Sequence, residues 1–148
     1  MMYQRILLAT DGSELSQKAT TTAIELAALC GAELVATTVV PRYPQSYFEG
    51  SMVLPAAEMV AVEKQWENQG QALVDAVKKA AADKGVKALS ITLKSDVVSD
   101  ALIAAANKHQ CDLIVMASHG RKGIQRLLLG SETQHVLTHT TTPVLVIR

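Results

Sequence analysis

Short apolar runs, each separated from the next by a longer stretch with helical spacing, constrain this chain more than any other feature. Ile6-Leu7-Leu8-Ala9 is the first run, and it ends at Thr10-Asp11-Gly12-Ser13, which is turn and cap chemistry. Leu15, Ala19, Ala23, Leu26, Ala27 and Cys30 then recur at helical spacing until Gly31 supplies a stop. Leu34 to Val40 is rich in β-branched residues and predicts a second strand. The irregular segment from Pro41 to Pro55 holds Tyr43, Tyr47 and Phe48 and is expected to form a flap. A long helix should follow, with Met59, Val62, Trp66, Leu73, Val77 and Ala80 as its apolar stripe, Gly70 inside it and Gly85 at its end.

The second half repeats the pattern. Leu89, Ile91 and Leu93 alternate with Ser90 and Thr92, as in a half-exposed strand at a sheet edge. The spacing of Val98, Leu102, Ala105 and His109 predicts a helix from about Asp96 to His109. Leu113 to Ala117 is apolar throughout, as a strand buried on both faces should be. A glycine-containing turn leads to a helix near Ser131–Thr138, and Pro143 to Ile147 is the last strand. Strands that alternate with helices make a parallel sheet. The expected fold is α/β: one domain over residues 1–148, a Rossmann-like, doubly wound, five-stranded parallel sheet with helices on both faces. Such sheets bind ligands beyond the carboxyl ends of the strands, where the winding reverses.

Composition removes several function classes. Formal net charge is +0, whereas nucleic-acid binders usually carry a basic excess. Aromatic residues are 3% of the chain, too few for a platform that stacks bases. Cys30 and Cys111 form no CxxC pair, and the four histidines lack ligand spacing, so no metal site is expected. There is no apolar run near 18 residues and no signal-peptide pattern, which makes cytoplasm, without membrane contact, the expected location.

Met116 to Thr133 carries most of the chemical information. Nine residues separate Gly120 from Gly130, and Ser131 follows Gly130 at the start of a predicted helix. Glycine allows a positive φ and lets a ligand approach the backbone, while free N–H groups at a helix start favour an anion. Read without further context, both glycines are turn residues, Ser131 and Asp11 are helix caps, His119 is a turn residue, and Arg121 and Lys122 either add positive charge above the site or belong to a solvated loop.

The series Ala117-x2-Gly120-x9-Gly130-Ser131 resembles the G-x2-G-x9-G-[ST] motif of the ATP-binding universal stress proteins. The resemblance extends along the chain, including the Ala9-Thr10-Asp11 end of the first strand and the closing Pro-Val-Leu-Val strand. Ala117 departs from the pattern, which has glycine there. If that residue needed a positive φ, alanine would cost about 1–2 kcal/mol.

The resemblance implies ATP or another adenine nucleotide as ligand, with Mg²⁺ held mainly by the phosphates. It implies that Asp11 contacts the nucleoside or its metal and that Val39 offers backbone bonds to the base. Ala9, Thr10 and Met116 would line that pocket, with Ala117, His119 and Arg121 around the turn. Gly120, Gly130, Ser131, Glu132 and Thr133 would face the phosphates, although Glu132 would repel them if it pointed inward. Val144–Ile147, apolar on both faces, is expected to pair with its twin in a homodimer.

Three functions compete: a nucleotide-responsive stress module with an unnamed protein partner, a slow ATP hydrolase, and a dimer that acts without nucleotide. No GxxxxGK[ST] run or nucleophile–base pair is visible, so a binding module is expected rather than a dedicated enzyme.

Overall fold

In a computed structural model, residues 2–42, 56–120 and 129–148 are described. The expected flap therefore lies, except for Pro41 and Arg42, outside the described residues, as do Arg121 and Lys122. The elements run β1 (Arg5–Ala9), α1 (Glu14–Cys30), β2 (Glu33–Val40), α2 (Ala56–Asp83), β3 (Ala88–Lys94), α3 (Val98–Lys108), β4 (Leu113–Ala117), α4 (Ser131–His139) and β5 (Val144–Ile147). The strands form one parallel sheet in the order β3-β2-β1-β4-β5. Winding proceeds outward from β1 through β2 to β3, then crosses to β4 and β5, so the reversal falls between β1 and β4.

Side chains alternate across the pleat and divide the core in two. Ile6, Leu8, Leu34, Ala36 and Val115 pack under Ala19, Ala23 and Ala27 of α1 and Val74, Val77 and Ala81 of α2. Leu7, Val35, Ile114 and Met116 point the other way, onto Leu102, Ala105 and Ala106 of α3 and Val136 of α4. Helices thus cover both faces. Each fully buried leucine or isoleucine contributes roughly 1.5–3 kcal/mol.

The α2 stripe departs from its expected course. Ala80 is exposed and Ala81 is buried, while Gly70 is buried against the sheet. A Cβ on Gly70 would stand 3.0 Å from Val40 Cγ1 and 3.1 Å from the methyls of Thr38 and Thr92. Glycine is there because α2 approaches the sheet too closely for a side chain. The β3 edge is as expected, but its polar alternates are the ones facing a helix. Ser90 Oγ donates to Asp75 Oδ1 (2.6 Å) and Thr92 Oγ1 to Gln71 Oε1 (3.1 Å), both on α2. Hydrogen bonds from Ser90 and Gln71 hold the Asp75 carboxyl below the usual carboxylate range. Ile91 and Leu93 join the opposite core, and Leu89 remains exposed.

The amino end of the sheet is tied down by side chains. Asp112 accepts the backbone N–H groups of Gln4 (2.8 Å) and Arg5 (3.1 Å). Arg5 Nη1 donates to His109 O (2.8 Å), and Nη2 stands 3.3 Å from Glu33. Arg5 Nε is the one buried side-chain nitrogen or oxygen without a hydrogen bond among the described residues. Beside this cluster, burial pushes the Cys111 thiol up to about 11.

Candidate functional site

The carboxyl ends of β1, β2 and β4 open onto a cavity of about 570 Å³. It lies at the reversal of winding, where the β1–α1 and β4–α4 connections leave toward opposite faces. Ala9, Thr10 and Asp11 line it from the end of β1, and Val39 from β2. Met116, Ala117, His119 and Gly120 line it from β4 and the turn that follows. Gly130, Ser131, Glu132 and Thr133 complete that wall from the start of α4. Of the residues singled out around this turn in the sequence, Arg121 and Lys122 lie outside the described residues.

The β1–α1 turn is held by its own side chains. Asp11 Oδ1 accepts the Ser13 N–H (2.9 Å), and Ser13 Oγ accepts the Ser16 N–H (3.2 Å). Ser13, not Asp11, is therefore the N-cap of α1. Thr10 Oγ1 donates to Ser16 Oγ (3.0 Å), and its N–H donates to Thr37 O (2.9 Å).

The start of α4 is built differently. Gly130 is its N-cap, with φ −63° and no capping side chain, so Ser131 is the first helical residue and not the cap. Gly130 N–H donates to Ser118 O (2.7 Å), and the first intrahelical bond runs from Gln134 N–H to Gly130 O. The N–H groups of Ser131, Glu132 and Thr133 accordingly have no acceptor among the described residues. Three such donors on a cavity wall, with the helix dipole behind them, suit an anion.

Neither motif glycine has the positive φ that glycine permits; among described glycines that conformation belongs to Gly12, Gly31 and Gly85. Space explains them instead. A Cβ on Gly120 would lie 2.6 Å from Asp11 Oδ2. One on Gly130 would lie 3.2 Å from His119 Cα and 3.3 Å from Ser118 O. Ala117 is an ordinary strand residue without positive φ, so alanine brings one methyl to the cavity and no backbone strain.

Two side chains named for phosphate contact have other commitments. Thr133 Oγ1 donates to Ala117 O (3.0 Å), which ties α4 to the end of β4. Glu132 Oε2 accepts the Ser99 N–H (2.8 Å), at the start of α3, whose N-cap Val97 makes no side-chain capping bond. His119 Nδ1 lies 3.2 Å from Ser118 Oγ.

Sequence reasoning missed five lining residues: Ser16, Thr37, Thr38, Val98 and Leu102. Thr37 and Thr38 precede Val39 at the same strand end, which was a usable signal. Val98 and Leu102 reach the cavity because α3 begins beside α4, and no local pattern carries that information.

The sequence profile of the Universal stress protein family matches residues 2–148. The chain belongs to the universal stress protein family. Universal stress protein MJ0531 of Methanocaldococcus jannaschii is 35% identical over 148 residues, spanning 99% of this chain and 83% of that relative. Universal stress protein UspA from Lactobacillus plantarum has the same fold, with a TM-score of 0.82 at 23% identity over 100% of this chain and 99% of its own. A universal stress protein solved in complex with cAMP superposes with a TM-score of 0.71 at 25% identity, covering 100% of this chain and 99% of that one. Among the described residues of this universal stress protein, no helix is long and apolar enough to cross a membrane. Nor do any three His, Cys, Asp or Glu side chains among them group as metal ligands.

Proposed function

We propose that this universal stress protein binds an adenine nucleotide in the cavity at the β1/β4 reversal and acts as a nucleotide-responsive module. The observation that carries the reading is the row of amides at Ser131, Glu132 and Thr133, without acceptors among the described residues, on the wall of a cavity that is also lined by Val39, Val98, Leu102 and Met116. A base against Val39, Val98, Leu102 and Met116 and a phosphate at those amides use both. Both are needed: a helix terminus supplies about 0.3–2 kcal/mol, whereas micromolar affinity needs about 8 kcal/mol. The cAMP complex of the structural relative supports the same ligand class. Asp11, Ala9, Thr10, Ala117, His119, Gly120, Arg121 and Gly130 complete the proposed contacts. Any Mg²⁺ would be held chiefly by phosphate oxygens, with Asp11 the nearest protein carboxylate to the turn.

Calorimetry with ATP, ADP, AMP and cyclic AMP tests this directly, on the natural protein and on Gly120→Val and Gly130→Val. Saturable heat in the natural protein that is lost in both variants is expected; identical heats in all three proteins would remove the site. Asp11 and His119 offer a weak hydrolytic alternative. Turnover faster than about one per minute, abolished by Asp11→Ala, would favour it.

The assembly in this reading is a cytoplasmic homodimer. β5 is an edge strand of four half-buried apolar residues, Val144–Ile147, and pairing it with its twin would satisfy its outer backbone groups. Val146→Asp should delay elution to the monomer volume; an unchanged volume would rule out this pairing.

A further inference from the structure

We propose that Glu132 makes the cavity select against long phosphate chains, so that singly charged adenine nucleotides are preferred over triphosphates. The inference rests on the nucleotide reading above and adds a determinant of which nucleotide binds.

Glu132 follows Ser131 in the first turn of α4, so its side chain starts beside the three amides that would receive a phosphate. Its side chain is exposed, and its carboxylate is held at the start of α3, next to the lining residue Val98, where Oε2 accepts the Ser99 N–H at 2.8 Å. Ser99 is 2% exposed, and Val97, the N-cap of α3, makes no side-chain capping bond. Swinging the carboxylate away would therefore leave a buried amide at a helix start without its acceptor, a loss comparable to a broken charged hydrogen bond. The negative charge is thus held in place beside the cavity.

Among the described residues lining the cavity, Glu132 is the carboxylate on the α4 side. The α4 amides attract the first phosphate through short-range hydrogen bonds. Repulsion from Glu132 reaches farther and grows with every charge added to the chain. Cyclic AMP presents one phosphate charge, and ATP carries roughly three more at neutral pH.

The test is calorimetry in EDTA, so that the nucleotide charge is not masked by Mg²⁺, with cyclic AMP, AMP, ADP and ATP on natural protein and Glu132→Gln. Glutamine keeps an oxygen for the Ser99 N–H and removes only the charge. The variant should gain about tenfold in ATP affinity and less than about twofold for cyclic AMP. Its advantage should shrink between about 0.05 M and 0.5 M salt. The natural protein gives a second readout that needs no variant: its ratio of ATP to cyclic AMP affinity should rise with salt as the repulsion is screened. An equal change for all four nucleotides, or a ratio that falls with salt, would overturn the selection. Binding of no nucleotide at all would overturn the parent reading and this one together, so the two failures are distinguishable.

Discussion

The two ends of the sheet treat backbone donors in opposite ways. At the amino end, one carboxylate, Asp112, takes the N–H groups of both Gln4 and Arg5, and the Arg5 guanidinium closes over His109 O and Glu33. At the carboxyl end, α4 begins on a glycine, no side chain caps it, and three amides are left at a cavity wall. The same sheet thus has a sealed end and an end that keeps its donors available. Ser131 and Glu132 are exposed, so their amides stand open to solvent or to an anion.

Substitutions at the open end should change binding far more than stability. Gly120→Val is expected to weaken nucleotide binding by at least about thirtyfold, or about 2 kcal/mol, because its side chain would take the position of Asp11 Oδ2. Calorimetry checks the affinity, and a melting curve close to that of the natural protein would show that the fold survives.

Away from both ends, Gly70→Val should lower stability by about 3 kcal/mol in urea denaturation, since it overpacks Val40, Thr38 and Thr92. A loss under about 1 kcal/mol would mean that α2 can lift from the sheet without penalty. At the sealed end, Asp112→Ala should cost about 2 kcal/mol by the same measurement while nucleotide affinity stays unchanged. Reduced affinity there would erase the distinction between the ends.

Finer contrasts concern the caps. Ser13→Ala should cost about 1 kcal/mol because its hydroxyl caps α1. Ser131→Ala should cost less than about 0.5 kcal/mol of stability because Ser131 caps nothing. The smallest effect is a pH slope from the sealed end. Cys111 is a thiol whose folded value, about 11, lies above its ordinary 9.0, so the folded state holds its proton more tightly. That contribution is complete below pH 9 and is lost as pH rises toward about 11. Cys111→Ala should flatten the slope in denaturation midpoints measured across that interval.

Much of this was legible before any coordinates. Continuous apolar runs such as Leu113–Ala117 mark strands buried on both faces, and the order of strands and helices fixes the winding. What stayed hidden is mostly contact between elements distant in sequence. Gly70 looks like a flaw in a helical stripe until Val40 and Thr92 are seen beneath it. Ser90 and Thr92 look solvent-facing until Asp75 and Gln71 arrive from α2. Ser131 after a glycine reads as a cap, yet the helix starts one residue earlier than that role requires. The direction of Glu132 follows from Ser99, which lies 33 positions back in the chain.

The hydroxyl of Thr133, bonded to Ala117 O, fastens the first turn of α4 to the end of β4. A ligand arriving there meets donors whose orientation was settled when the chain folded. Little backbone freedom remains to be surrendered on association at that wall, so even a small anion can gain from it, and its residence time should depend mainly on the rest of the molecule it carries.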